Sequence, residues 1–473
     1  MADRYRMFSR RTAITAAALL MLFLSGAPVR ASGLESHVLP NGLEVFLVRD
    51  SQVPLVTIRI TFRAGAIVET AELNGLCHLY EHMLFKGNER YPSQEEFMAA
   101  MKRLGVANWN GGTSTEYVTY FFTIPSDQLA EGLAFWAAAL QSPLLRPDEL
   151  ERERQVVANE IAGAQAQPEY RLEQAQRMAL YPDYWFRRDV GGDLQVIRSA
   201  TVEQLRFIQQ TYYVPNNAAL FVAGDIDTQE TLRLVHELFG RWQPGAGFPS
   251  IEPHKPLPGQ LWVVVDNSPA QGLAEVQLAF RGPDTAADSA STYAADIWTQ
   301  MVSSPGGRFK TAIEKSVPEL HGGTRHIAAG YYTQRDGGIT YFSFKLTVSE
   351  QETLWDSIVR LRAAVLHELE AMCAGDYFSP DELASARREI ENQEIIARDI
   401  PARFISDLSF WWASTSTGYY TGYVEAIRAV TAGDVCAFMR RYLLGAPFLT
   451  SVWLHAEDEA RQHIMQRTQG RQP

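Results

Sequence analysis

The segment His78-Leu79-Tyr80-Glu81-His82 carries two imidazoles and a carboxylate at positions i, i+3 and i+4. On a helix these three side chains share one face. Zn²⁺ is commonly bound by neutral imidazole nitrogens, and a catalytic zinc ion with three protein ligands keeps one position open for water. Such an ion makes the water acidic enough to attack a carbonyl group. The spacing therefore predicts a zinc site with His78 and His82 as ligands and Glu81 as an adjacent general base.

A motif of only three fixed residues also occurs by chance, so its surroundings must be considered. Residues 76–85 are apolar apart from the polar triplet. Burying two histidines and a glutamate among such neighbours is costly unless they bind a metal or form hydrogen bonds. This context favours a metal site over an ordinary surface or core helix.

A third protein ligand is required, and residues 147–161 supply acidic candidates. Pro147 followed by acidic residues is typical of a helix N-terminus. Glu153 and Glu160 lie seven positions apart, which places them on one helix face with two turns between them. Glu160 has apolar neighbours, and we expect its side chain to be partly buried. We expect the remaining glutamates of this segment to be solvated surface charges, namely Glu149 and Glu151.

These residues carry a resemblance to a known family. Gly65, Glu69 and residues 74–87 match, almost residue by residue, the signature of the pitrilysin family of inverted-zincin metallopeptidases, which includes insulin-degrading enzyme and mitochondrial processing peptidase. Glu153 and Glu160 match the downstream pair of glutamates in that family. The chain is most similar to the shorter, two-domain branch, whose zinc-bearing subunits have about this length.

The resemblance implies a zinc-dependent endopeptidase that hydrolyses peptides or unfolded polypeptide segments. By this resemblance His78, His82 and Glu160 bind one zinc ion per chain, and Glu81 polarises the attacking water. Glu153 would orient a ligand from outside the metal's own coordination sphere. A subunit of the same family with a structural or chaperone-like role, or with zinc used only for stability, is the alternative. The intact set of zinc-binding residues argues against a purely structural role.

Asn110 falls where the family has a strand that pairs with the substrate backbone. The family usually has alanine at the next position, where this chain has Gly111. We expect an extended peptide to add a strand near Asn110, so that backbone hydrogen bonds give affinity without strict sequence demands.

The second half of the chain departs from the family. Complete members usually carry an arginine and then a tyrosine there, which help to bind the substrate and the developing oxyanion. Residues 311–320 contain neither, and Arg325 with Tyr331 is a displaced alternative. In the shorter branch, dimers often divide these roles. The resemblance therefore implies that this chain is the zinc-bearing subunit and that a homologous partner supplies the Arg/Tyr pair in a heterodimer, although a homodimer stays open.

Composition fits a globular protein, with 46% hydrophobic and 21% charged residues among 473. The net charge of −12 argues against nucleic acid as a partner. The first residues combine a basic segment with a short apolar run, which predicts a signal peptide over residues 1–31 and export, most simply to the periplasm. An uncleaved membrane anchor and the export route stay open. The three cysteines are too few for disulfides to be the main support of the fold, and pairing of Cys373 with Cys436 stays open.

The apolar patterns predict strands at 37–39, 43–48, 56–62 and 118–124 and helices at 94–104 and 129–140. Residues 244–259 contain five prolines and three glycines and are predicted to be a linker. It separates a zinc-binding domain (32–243) from a non-catalytic domain (260–473). Residues 200–212 and 430–442 are similar and suggest an internal repeat. We therefore predict an α+β fold of two homologous domains, each a largely antiparallel sheet with helices, which face each other as a clam-like half-chamber.

Overall fold

The structure is a computed structural model that describes residues 33–184, 189–246, 254–348 and 351–468. The predicted signal peptide (residues 1–31) lies outside these ranges, and so do residues 247–253 of the predicted linker. No helix within the described ranges is long and apolar enough to cross a membrane.

Strands of the first half form one six-stranded sheet. They are β1 (Leu34–Val38), β2 (Glu44–Arg49), β3 (Leu55–Phe62), β4 (Asn108–Thr113), β5 (Val118–Pro125) and β6 (Ala218–Gly224). Their order across the sheet is β1-β2-β6-β3-β5-β4, and only the β2–β6 pair is parallel. The central strand β6 is buried along its whole length, whereas the edge strand β4 is largely accessible. This difference explains why β6 reads as a continuous apolar run and β4 as a polar, glycine-rich segment.

Eight helices accompany this sheet within the described residues. They are α1 (Leu76–Leu84), α2 (Gln94–Arg103), α3 (Leu129–Gln141), α4 (Pro147–Gln165), α5 (Pro168–Leu180), α6 (Leu194–Ser199), α7 (Val202–Tyr212) and α8 (Thr228–Phe239). The predicted strands and helices of this half are confirmed to within a few residues at their ends. Pro147 occupies the first turn of α4, as predicted from its fixed φ and missing N–H.

The second half forms a five-stranded sheet. Its strands are β7 (Leu261–Val265), β8 (Leu273–Gly282), β9 (Ala328–Tyr332), β10 (Gly338–Thr347) and β11 (Phe448–Trp453). Their order is β7-β11-β8-β10-β9, again with one parallel pair, β7–β11. The described helices of this half are α9 (Ser289–Val302), α10 (Arg308–Ser316), α11 (Gln351–Met372), α12 (Pro380–Arg398), α13 (Pro401–Ser414), α14 (Thr417–Thr421), α15 (Tyr423–Ala429), α16 (Ala432–Tyr442) and α17 (Ala460–Thr468).

The two sheets repeat one topology. Strands β2, β3, β4, β5 and β6 take the same order and the same relative directions as β7, β8, β9, β10 and β11. In each half, the last strand along the chain (β6 or β11) comes after a helix with a threonine capping box. The capping residues are Thr201 before α7 and Thr431 before α16. The prediction of an α+β fold with two largely antiparallel sheets is confirmed. The predicted domain boundaries and linker remain predictions.

Helix α13 belongs to the second half but packs on the sheet of the first. Phe404, Leu408 and Trp412 form a buried cluster with Phe46 and Phe221. The indole nitrogen of Trp412 also donates to Glu44 on β2, at 2.9 Å. One face of the first sheet is therefore covered by a helix from the other half. Apolar residues of the opposite face, such as Val45 and Ile58, belong to the buried cluster that includes the apolar residues of α1.

A disulfide joins Cys373 to Cys436 in the second half, so the pairing that the sequence left open is present. Cys77 is a buried free thiol, as expected for a residue that points away from the polar face of its helix.

Candidate metal centre

Helix α1 begins at Leu76, where the buried carboxylate of Glu69 caps its first turn. Glu69 accepts hydrogen bonds from the backbone N–H groups of Gly75 and Cys77, both at 2.8 Å. Gly75 adopts a φ of +98°, a conformation that favours glycine. The apolar residues of α1 are buried, and its polar face contacts Glu153 and Glu160 on α4.

Both histidines of that face are oriented through their Nδ1 atoms. Nδ1 of His78 lies 3.3 Å from the carbonyl oxygen of Gly191, and Nδ1 of His82 lies 3.0 Å from Oε2 of Glu153. An acceptor at Nδ1 selects the tautomer whose Nε2 carries a lone pair. The two Nε2 atoms then converge on a single oxygen, Oε2 of Glu160, at 3.6 Å from His78 and 3.4 Å from His82.

Helix α4 supplies both glutamates, and one expectation about burial on this helix fails. The side chain of Glu160 is 41% exposed, which agrees with the prediction that it is partly buried. Glu153 is only 5% exposed. Glu149 was expected to be solvated but is 8% exposed, with Arg146 and Arg152 paired to it. The helix therefore buries Glu149 and Glu153 and leaves Glu160 at the mouth of the site.

The cluster is electrostatically suited to a cation. Burial alone would lower the pKa of His82, but hydrogen bonds to Glu153 and Glu160 and the charge of Glu81 raise it to about 9. The hydrogen bond to His82 lowers the pKa of Glu160. The pKa of Glu153 is lowered as well, because its bonds to His82 and Lys86 outweigh the effect of its burial. Carboxylates around two imidazoles thus favour a positive charge at this point, which a proton or a metal ion can supply.

These residues fit zinc by the chemistry of their donor atoms. One ligand atom from each of His78, His82 and Glu160 lies within 4.8 Å of the other two. Two imidazole nitrogens and one carboxylate oxygen form a known donor set of catalytic zinc, with one position left for water. A second group, His254, Asp284 and Asp336, meets the same distance limit. The guanidinium of Arg281 lies 3.1 Å from Nδ1 of His254. This positive charge disfavours a metal cation at the second group.

Glu81 lies on the same face of α1 and contacts the edge strand β4. The hydroxyl of Thr113 donates to Oε2 of Glu81 at 2.8 Å. Asn110 lies on the same strand, opposite Phe121 of β5, and is half-buried. The structure thus brings the predicted base next to the strand that was predicted to receive substrate.

Two contacts of the site were missed by the sequence analysis. Lys86 forms an ion pair with Oε1 of Glu153 at 2.6 Å, and its position one turn after His82 was a signal that could have been used. Gly191 contributes only a backbone carbonyl, so its residue type gave no signal of this role.

Among the described residues, the only other group with this spacing, His254, Asp284 and Asp336, has one histidine and no glutamate. Residues 311–316, part of the stretch that lacks both arginine and tyrosine, lie on α10. The hydroxyl of Tyr331 donates to the carbonyl of Pro283 at 2.8 Å. Burial raises the pKa of that hydroxyl. The Tyr331 hydroxyl is therefore engaged with the residue that follows β8.

Comparisons with known proteins agree with this architecture. A family model described as insulinase (peptidase family M16) matches residues 44–190. A second model, described as the peptidase M16 inactive domain, matches residues 199–390. The first match contains the histidine cluster, and the second extends from residue 199 in the first half to residue 390 in the second.

Curated relatives are similar over part of their length. Coenzyme PQQ synthesis protein F of Klebsiella pneumoniae is 32% identical over 214 residues, which are 44% of this chain and 27% of that protein. The beta subunit of the mitochondrial-processing peptidase of Blastocladiella emersonii is 26% identical over 266 residues, which are 56% of this chain and 55% of that protein. The chain thus spans from about a quarter to about half of the length of these two relatives.

Solved structures show the same fold. A protease from Helicobacter pylori superposes with a TM-score of 0.76 at 20% identity, covering 89% of this chain and 99% of that one. The first half of the periplasmic protease PqqL from Escherichia coli superposes with a TM-score of 0.72 at 18% identity, covering 94% and 98%.

Proposed function

Because the chain belongs to peptidase family M16, we propose that it is a zinc-dependent endopeptidase acting on peptides or unfolded polypeptide segments. In this proposal His78, His82 and Glu160 hold one zinc ion and Glu81 is the general base. The observation that carries it is the convergence of two imidazole Nε2 atoms on one carboxylate oxygen, at 3.6 and 3.4 Å, with a glutamate on the same helix face.

Zinc held by these residues would supply Lewis-acid chemistry, polarising the scissile carbonyl and increasing the acidity of the attacking water. Glu81 would accept the proton of that water and later deliver it to the leaving amine. Glu153 would keep His82 in the tautomer whose Nε2 is free to bind the metal. This division of labour needs no nucleophilic side chain and no covalent intermediate with the chain.

Substrate binding is proposed at the outer edge of β4. This strand pairs with β5 on one side, and among the described residues no strand pairs with its other side. An extended peptide can add there through backbone hydrogen bonds, near Asn110 and Glu81. Such binding recognises an extended main chain more than a particular sequence, which suits unfolded segments.

We further propose that this chain is the zinc-bearing subunit of a dimer and that a homologous partner supplies the Arg/Tyr pair. In support, residues 311–320 contain neither residue type, and the Tyr331 hydroxyl is engaged with Pro283. A homodimer is the other arrangement.

We propose a periplasmic location from the predicted signal peptide. The solved relative from Escherichia coli is described as a periplasmic protease.

The test is hydrolysis of an internally quenched, unstructured peptide of about 15 residues by the purified chain loaded with zinc. We expect cleavage that a chelator abolishes and added zinc restores, from the chain alone as a homodimer or after addition of the homologous subunit. If neither preparation cleaves the peptide, although the chain binds it and contains zinc, a chaperone-like subunit replaces the peptidase proposal. Full activity of the chain as a monomer would exclude the dimer.

A further inference from the structure

We propose that Thr113 is a positioning residue for Glu81, and that β4 therefore orients the general base as well as receiving the substrate. The inference rests on the proposed peptidase function. It starts from the hydrogen bond that joins the Thr113 hydroxyl to Oε2 of Glu81 at 2.8 Å across 32 residues of sequence.

This bond fixes a torsion that would otherwise be free. The terminal torsion of a glutamate side chain is broad, so an unsupported carboxylate samples many orientations. A hydroxyl that donates to an ionised carboxylate forms one of the stronger kinds of hydrogen bond. With Oε2 held by Thr113, the other oxygen, Oε1, is the one left to accept a proton from water.

The close approach of β4 to α1 depends on a missing side chain. A Cβ atom at Gly111 would lie 2.8 Å from Oε1 of Glu81 and 2.9 Å from the ring of Phe85. Glycine at this position lets the strand lie against the carboxylate without displacing it.

The strand is held in place at the end where Thr113 lies. Thr113 pairs with Val118 of β5, and the next residue, Ser114, accepts a hydrogen bond from the backbone N–H of Ala66 at 3.2 Å. The chain enters α1 shortly after Ala66. The Thr113 hydroxyl is therefore fixed relative to the helix that carries Glu81, and a peptide bound at the edge of β4 shares this rigid support.

Steady-state kinetics of the full, zinc-loaded chain test this role, with its partner subunit present if activity requires one. Thr113→Val keeps the shape and removes the hydroxyl, and we expect kcat to fall about 10- to 100-fold, as for a misoriented catalytic group, while KM and zinc content stay within about twofold. Thr113→Ser keeps the hydroxyl and should recover most of kcat. The control is Thr123→Val on β5, whose hydroxyl bonds Thr57 instead and whose loss should leave kcat unchanged.

A double-mutant cycle gives a readout that does not depend on activity. In the metal-free chain, Thr113→Val should lower the denaturation midpoint in the native background but shift it little in a Glu81→Ala background. Additive shifts, or a kcat of Thr113→Val equal to that of the native chain, would overturn the positioning role. If no preparation hydrolyses the peptide, the proposed peptidase function fails. The double-mutant cycle still tests the Thr113–Glu81 contact in that case, because additive shifts in the denaturation midpoint would refute it.

Discussion

Glu153 joins His82 to Lys86 through the two oxygens of one buried carboxylate. Oε2 lies 3.0 Å from Nδ1 of His82, and Oε1 lies 2.6 Å from Nζ of Lys86. His82 and Glu153 are 71 residues apart in sequence, so this contact forms only when α4 packs against α1. A carboxylate held by a lysine on one side has a fixed orientation toward the imidazole on the other, which is how such a residue can tune a metal ligand without touching the metal.

Glu153→Gln should weaken zinc binding about 10- to 100-fold, the usual range for such supporting contacts. The amide loses the negative charge that pairs with Lys86 and that raises the basicity of His82. Competition for zinc with a chromophoric chelator measures the change. Glu151→Gln on the same helix is the matched control, because its exposed side chain forms a surface ion pair with Arg154. Equal zinc affinities of the two variants would contradict the assigned role of Glu153.

Glu81→Gln should lower kcat by about 10²- to 10⁴-fold, the usual contribution of a general base. Zinc content should stay within about twofold of the native chain, because Glu81 is not among the proposed ligands. Metal analysis and peptide hydrolysis on the same sample measure both quantities. Retained hydrolysis in this variant would exclude Glu81 as the base.

His82→Ala and Glu160→Gln should each lose bound zinc as well as activity, since either change leaves only two of the three proposed ligands. Metal content after dialysis against a weak chelator is the measurement. His236→Ala is the control, because His236 is exposed on α8, away from the cluster. Stoichiometric zinc in the Glu160→Gln variant would mean that the third ligand lies elsewhere.

Arg325→Ala and Tyr331→Phe should change kcat/KM by less than about threefold if the partner subunit supplies the Arg/Tyr pair. Tyr331→Phe removes its hydrogen bond to Pro283, so a modest loss of stability, about 1 kcal/mol, is expected. Kinetics and thermal unfolding of each variant separate the two effects. A drop of 100-fold or more in kcat/KM for both variants would place the pair in this chain and remove the need for a partner.

Asp296→Asn should reduce the dependence of stability on pH. Burial raises the pKa of Asp296 from 3.8 to about 7, although Tyr423 donates a hydrogen bond to it at 2.7 Å. Between these two values the folded state holds a proton that the unfolded state has lost, so the free energy of unfolding falls as pH rises from about 4 to about 7. One pKa unit corresponds to about 1.4 kcal/mol.

Unfolding of the metal-free chain at several pH values measures this effect. Relative to the native chain, Asp296→Asn should gain stability steadily up to pH 7 and no further above it. Asp376→Asn provides a control, because Asp376 is exposed in a turn. Parallel pH curves for native and Asp296→Asn chains would show that Asp296 titrates normally.

Local geometry was readable from the sequence because helix and strand periods fix which neighbours share a face. The three polar residues of α1, the two-turn spacing of Glu153 and Glu160, the alternating strands and the paired threonine caps follow from those periods. The two similar sheets were predicted for the same reason. The burial of Glu149 on α4 was not predicted: this residue was expected to be solvated but is 8% exposed. A helix can turn either side of its acidic stripe toward a neighbour, and periodicity alone does not specify which.

The sequence by itself determined which chemical groups are available: two imidazoles and a carboxylate on one helix face, and a second helix with two glutamates on one face. Tertiary structure decided which atoms meet. It brought Glu160 to both Nε2 atoms, gave His78 a backbone carbonyl from Gly191, and set Thr113 against Glu81. These contacts join segments distant along the chain, and they depend on how sheets and helices bury their apolar faces together, which no local pattern of residues encodes.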